Sequence, residues 1–195
     1  MIAEPDQVIA MADKPCDVPA EGVVEYQHFV VDPGWSDDKW ISAIEPRPGN
    51  PAVVHHILVF VRKPKGRIGG PSGRLSNEFL AAYAPGFRPE TLSEDQARFV
   101  PAGSQLVFQV HYTSNGSPQQ DLSTLGVSFA DPAKIRKEVL VQSAANYTFR
   151  IPPGNAHYEV AGEYTFGRKS LLLSLMPHAH LRGKDFRFEA IYPDG

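Results

Sequence analysis

Val53-Val-His-His-Ile-Leu-Val-Phe-Val61 is a run of large apolar residues broken only by a pair of histidines. Side chains of this kind pack well on a pleated, half-buried surface, so the segment is expected to form a strand. The rest of the chain repeats the pattern on a smaller scale. Its 18 prolines and 16 glycines punctuate short stretches rich in Val, Ile, Phe and Tyr, which predicts many short strands joined by turns. Expected strands lie around 23–31, 40–45, 53–61, 106–112, 125–129, 138–141, 147–151, 170–175 and 186–192. Turn signals at Ser114-Asn-Gly116 and Asp131-Pro132 bracket strands as they do in sandwiches, so the expected fold class is an all-β sandwich.

Three segments depart from this pattern. Residues 1–21 hold Pro5, Pro15 and Pro19 with little periodicity and are expected to be a linker or leader. Between Arg62 and Gly103 lies a Gly- and Pro-rich stretch with at most a short helix near 78–82 or 94–99; a connection that long is usually functional or an insertion. Phe186-Arg-Phe-Glu-Ala-Ile-Tyr192 runs into Pro193-Asp-Gly195, a turn that normally leads into a partner strand, so the natural polypeptide is expected to continue.

At 195 residues the chain can form one large β domain, or one domain and part of another. A net charge of -3 from 19 basic and 22 acidic residues gives no basic field for nucleic acid or anionic lipid. The longest apolar runs, 57–61 and 171–176, are too short to span a bilayer, and no signal-peptide pattern follows Met1. Cys16 is alone, which rules out an intrachain disulfide and any thiolate cluster, and leaves His, carboxylate or Met to hold a metal. No Gly-rich phosphate cradle and no Gly-x-Ser-x-Gly elbow is present, so nucleotide-dependent and serine-hydrolase chemistry drop out.

Five of the seven histidines are candidate ligands: His55, His56, His111, His178 and His180. Imidazole suits copper, zinc, iron and nickel at neutral pH, and three separated clusters inside apolar runs are hard to explain by packing. His178 and His180 are two apart, so on a strand both leave the same face, about 6–7 Å apart at Cα. His55 and His56 are adjacent, and neighbours on a regular strand point to opposite faces. Without a bulge or a strand end they could not share an ion, and alternation alone makes one of them a buried structural histidine. His111, in Leu106-Val-Phe-Gln-Val-His-Tyr112, reads by itself as a hydrogen-bonded core histidine with Gln109 on its face. His28 and His157 have no partner at ligand spacing and read as ordinary strand and loop residues.

Four segments resemble the copper type II, ascorbate-dependent monooxygenases, the family of peptidylglycine α-hydroxylating monooxygenase and dopamine β-monooxygenase. They are Ala52-Val-Val-His-His-Ile-Leu-Val-Phe60, Leu106-Val-Phe-Gln-Val-His-Tyr112, Asp121-Leu-Ser-Thr-Leu-Gly-Val127 and His178-Ala-His-Leu-Arg-Gly-Lys184. Their order agrees with the family's, as do the separations of 55 residues from His56 to His111 and 67 from His111 to His178.

The resemblance implies two jelly-roll β-sandwich domains, here a complete one at 22–142 and the beginning of a second at 143–195. It also implies two copper ions per full-length chain. His55, His56 and His111 would hold the ion that stores an electron, and this requires a distortion of the 53–61 strand; Gln109, which strand alternation places on the His111 face, is a candidate outer partner that either assists electron transfer or only orients that ligand. His178 and His180 would be catalytic and hold the second ion, where dioxygen and a small-molecule substrate meet and a C–H bond is hydroxylated. Ascorbate or another one-electron donor, or a fused or separate redox partner domain, would supply electrons. The family also suggests a bacterial-type relative working in the periplasm or another extracytoplasmic space.

Two family features have no counterpart here. The downstream Met ligand of the second copper is missing, since the internal methionines are Met11 and Met176. A soft thioether favours Cu(I), so the chain by itself is expected to be inactive. The carboxylate-gripping Arg of peptide-amidating members is replaced by Met176, which offers neither charge nor donor, so a C-terminal glycine substrate does not carry over. One alternative is a non-catalytic copper-binding or electron-transfer module. Another is a cupin-type metal dioxygenase using His178, His180 and Asp185, although Leu172 stands where a cupin has Gly.

Overall fold

The computed structural model describes residues 2, 4–64, 79–179 and 183–194. It divides into two units, Met1–Ala144 and Ala145–Gly195. All regular structure among the described residues is β, as expected, and lies in the first unit: β1 (Gln7–Ala10), β2 (Cys16–Val18), β3 (Gln27–Val31), β4 (Lys39–Arg47), β5 (Val54–Arg62), β6 (Phe79–Tyr83), β7 (Glu90–Thr91), β8 (Gln96–Val100), β9 (Gln105–Tyr112), β10 (Gln119–Asp121), β11 (Thr124–Phe129) and β12 (Lys137–Glu138). No helix of the described residues is long and apolar enough to cross a membrane.

Two larger sheets form. One runs β1-β11-β4-β8-β12, with β7 also on β4, and the other runs β3-β9-β5-β6; β10 and β2 make a separate ribbon. All pairs are antiparallel except β12 with β8. Period-2 alternation decides which faces meet. Ile57, Val59 and Val61 of β5 and Phe108 and Val110 of β9 share one core with Ile9, Ile41, Ile44, Leu125 and Val127 of the other sheet. Each such side chain contributes about 1.5–3 kcal/mol of burial, and the result is sandwich-like.

The leader expected at 1–21 is part of this core. β1 pairs with β11 from Gln7↔Val127 to Ala10↔Thr124, β2 pairs with β10, and Ile9, Met11 and Val18 are buried. Pro5, Pro15 and Pro19 all fall outside the strands, where a missing N–H removes no ladder bond, so they punctuate strands and do not prevent them.

Where at most a short helix is expected, near 78–82 or 94–99, the described residues form strands, Phe79–Tyr83 and Gln96–Val100. β6 lies against β5 and β8 against β4. In β8 the buried Arg98 is neutralised by a two-pronged ion pair with Glu90, both bonds 2.8 Å. The strand expected at 23–31 begins only at Gln27, and the one at 138–141 shrinks to Lys137–Glu138.

The second unit contains no strand among its described residues, so those expected at 147–151, 170–175 and 186–192 are not formed. Each has strand propensity, but a strand also requires a hydrogen-bonding partner, and none is paired here. All described residues of this unit are exposed except the half-buried Ile151.

Candidate metal centre

The site begins as an irregularity in the pairing of β5 with β9. From Arg62 back to His56 the register is continuous, with His56 directly opposite His111. The next pair is Val54↔Tyr112, so the register shifts and His55 is the extra residue. A bulge of this kind re-aims a side chain that regular alternation would send to the other face. It lies at the end of β5, where little ladder is lost. The core histidine expected from alternation is therefore absent: His55 is exposed and His56 half-buried.

All three imidazoles converge. Ring centroids are 5.3 Å apart for His55 and His56, 5.1 Å for His55 and His111, and 5.0 Å for His56 and His111. One ligating atom from each residue lies within 4.8 Å of the other two. Two nitrogens each about 2.1 Å from one ion are at most about 4.2 Å apart, and about 3.4 Å in a tetrahedral set, so the three would draw somewhat closer to share an ion.

The His55 and His56 Nδ1 atoms are 3.0 Å apart, a distance that suits either one shared proton or one shared cation. His111 is not the hydrogen-bonded core histidine expected of it as a lone residue. Its Nδ1 is buried without a hydrogen-bond partner, a costly state for a polar atom and one that a metal would relieve. Burial, and then the neighbouring His55, hold the His111 imidazole below its ordinary value, which keeps it neutral and able to ligate. The three residues therefore fit a transition-metal ion of the kind that imidazole prefers.

Tyr26 closes one side of the cluster. Its ring lies 4.8 Å from His111 at an interplanar angle of 30°, and 5.7 Å from His56. Tyr26 falls within the strand expected at 23–31 but just precedes β3, which begins at Gln27. The signal appears only with the register: Gln27 pairs with Val110, and one further step brings Tyr26 opposite His111. Gln109 Nε2 lies 2.9 Å from His28 Nε2, directly across from it in the β3–β9 pair. His28 thus has the ordinary strand role expected of it.

His178 belongs to the second unit, where it and Asp185 are exposed, and His180 lies outside the described residues. Among the described residues leading to it, 170–179, no strand is formed. Among the described residues, His55, His56 and His111 are the group able to hold a metal. Burial pushes the Cys16 thiol up, so the lone cysteine is a poor source of thiolate at neutral pH. No family model, curated protein or solved structure matches the chain.

Proposed function

We propose that this chain is part of a copper-dependent monooxygenase and that His55, His56 and His111 form its electron-storing copper site. The observation that carries this reading is the β5 bulge, which spends ladder pairing to place two adjacent histidines beside a third on the next strand. A core has no use for such a distortion, whereas bulges recur beside functional sites. A copper ion held there would supply one-electron chemistry, with ascorbate or a similar donor as reductant, toward oxygen-dependent hydroxylation of a C–H bond.

The chain's own part is to present three imidazole nitrogens from two adjacent strands. The exposed His55 leaves the site open to a small donor, and the Tyr26 ring lies against His111 and His56. His178 and His180 remain the proposed ligands of a second, catalytic copper, by resemblance. Met176 beside them cannot clamp a carboxylate, which points to a small molecule other than a peptide terminus.

A second reading, a non-catalytic electron-transfer module, is favoured by the described residues on either side of His180, 170–179 and 183–194, which form no strand. Copper cycling tests the main reading. The chain is loaded with Cu(II), reduced with ascorbate without oxygen, and reoxidised, while the EPR signal and retained copper are followed. Full loss and return of the signal with copper retained is expected; release of the metal on reduction, or displacement by equimolar Zn(II), contradicts an electron store. A second retained copper that is lost in His178→Ala supports the enzyme over the module.

A further inference from the structure

The segment Asp121-Leu-Ser-Thr-Leu-Gly-Val127 holds no ligand, yet it contains a buried carboxylate, Asp121, only 1% exposed. Its partners are all donors. Oδ2 accepts the Tyr112 hydroxyl at 2.9 Å and the Ser123 hydroxyl at 2.8 Å, and Oδ1 accepts the Asn50 backbone N–H at 2.8 Å. A buried carboxylate held by three donors is costly to build and rigid once built.

What those donors belong to is informative. Tyr112 follows His111 in β9 and sits opposite Val54, the residue before His55. Asn50 begins the turn into β5: its carbonyl accepts the N–H groups of Val53 and Val54, and Val53 returns a carbonyl to the Thr113 N–H. The approach is so close that a Cβ on Gly49 would lie 2.5 Å from the Leu122 carbonyl oxygen and 2.9 Å from Asp121 Oδ1. One carboxylate therefore grips both chain segments at the place where the three imidazoles emerge, one through a side chain and one through the backbone.

We propose that Asp121 is a positioning residue of the three-histidine site, fixing the β5 bulge against β9 so that His55, His56 and His111 stay convergent before a metal arrives. The inference rests on the metal reading above. It assigns Asp121 no contact with the ion and no proton to move; its effect is preorganisation, which raises affinity by lowering the ordering cost of binding.

The test is Cu(I) affinity by competition with a chromophoric chelator under anaerobic conditions, for wild type, Asp121→Asn, Tyr112→Phe and the distant core variant Val127→Ala. All are measured where urea titration shows them folded. Asp121→Asn should bind about tenfold more weakly, the low end of what ligand-orienting partners contribute, and its Cu(II) EPR hyperfine splitting should change. Tyr112→Phe, which keeps the charge and removes one donor, should weaken binding in the same direction, and it carries the test if Asp121→Asn does not fold. Val127→Ala should bind as wild type. Unchanged affinity in Asp121→Asn, an equal loss in Val127→Ala, or a loss in Asp121→Asn that Tyr112→Phe does not share would overturn the positioning role. Absence of uptake by wild type would remove the three-histidine reading and this inference with it.

Discussion

The first unit and the second contain similar words of sequence and come to different ends. Ile57 and Phe108 are fully buried in paired strands, while Leu171 and Ile191, from runs of comparable propensity, are 67% and 85% exposed. The difference is partnership. β5 is flanked by β9 and β6, so its backbone polar groups are satisfied and alternate side chains can be buried. The runs at 170–175 and 186–192 have no paired neighbour, and propensity without pairing does not make a strand. The same holds for the histidines: His56 and His111 face each other because two strands are in register, and the His178 segment has no such frame.

Substitutions can break this contrast. Both tryptophans, Trp35 and Trp40, are in the first unit, so their fluorescence in a urea titration reports on that unit. Phe108→Ala should have the largest effect, about 3–5 kcal/mol, because a fully buried ring leaves a cavity between the sheets. Gly49→Ala should cost about 1–3 kcal/mol, since the new methyl meets backbone at 2.5 Å and the turn must shift. If either left the urea midpoint unchanged, the packing described for the first unit would be wrong.

A smaller effect is expected from pH in the metal-free protein. The folded state holds His111 below its ordinary value, near 6.5, through burial and then His55. Below about pH 6.5 the unfolded chain therefore binds a proton that the folded chain resists. Stability is complete above that pH and is lost as pH falls through the lower folded value. Urea midpoints should fall between about pH 7 and pH 5, and His111→Gln should flatten the change. A midpoint that rose on acidification would reverse the assigned sign. The smallest effect should come from the second unit, where Leu172→Ala, at a 52% exposed position, should shift the transition by less than about 0.5 kcal/mol. A shift of several times that size would show that Leu172 is packed.

How far the sequence could be read follows from the same principle. The class, and the strands at β4, β5, β9 and β11, were legible because their apolar content is dense enough to speak without knowing the partner. β1 and β2 were hidden by prolines that lie outside them, and β6 by Phe79-Leu-Ala-Ala-Tyr83, which lacks alternation because its first three residues are all buried. β8 was obscured by Arg98, whose burial makes sense only beside Glu90.

The three ligand candidates were legible as residue types, and the need for a distortion at His55 could be stated in advance. Its location between Val54 and His56, Tyr26 above the rings and Asp121 beneath the turn were not legible. Each depends on a cross-strand register that one-dimensional alternation does not contain.

The central claim is that His55, His56 and His111 hold one metal ion together, and copper stoichiometry tests it most directly. The purified chain is loaded anaerobically with Cu(I), desalted and assayed beside His111→Ala and the double variant His178→Ala, His180→Ala. The account predicts one tightly held copper in the first unit, lost in His111→Ala and retained in the double variant. Equal copper content in wild type and His111→Ala, with both proteins folded, would contradict it.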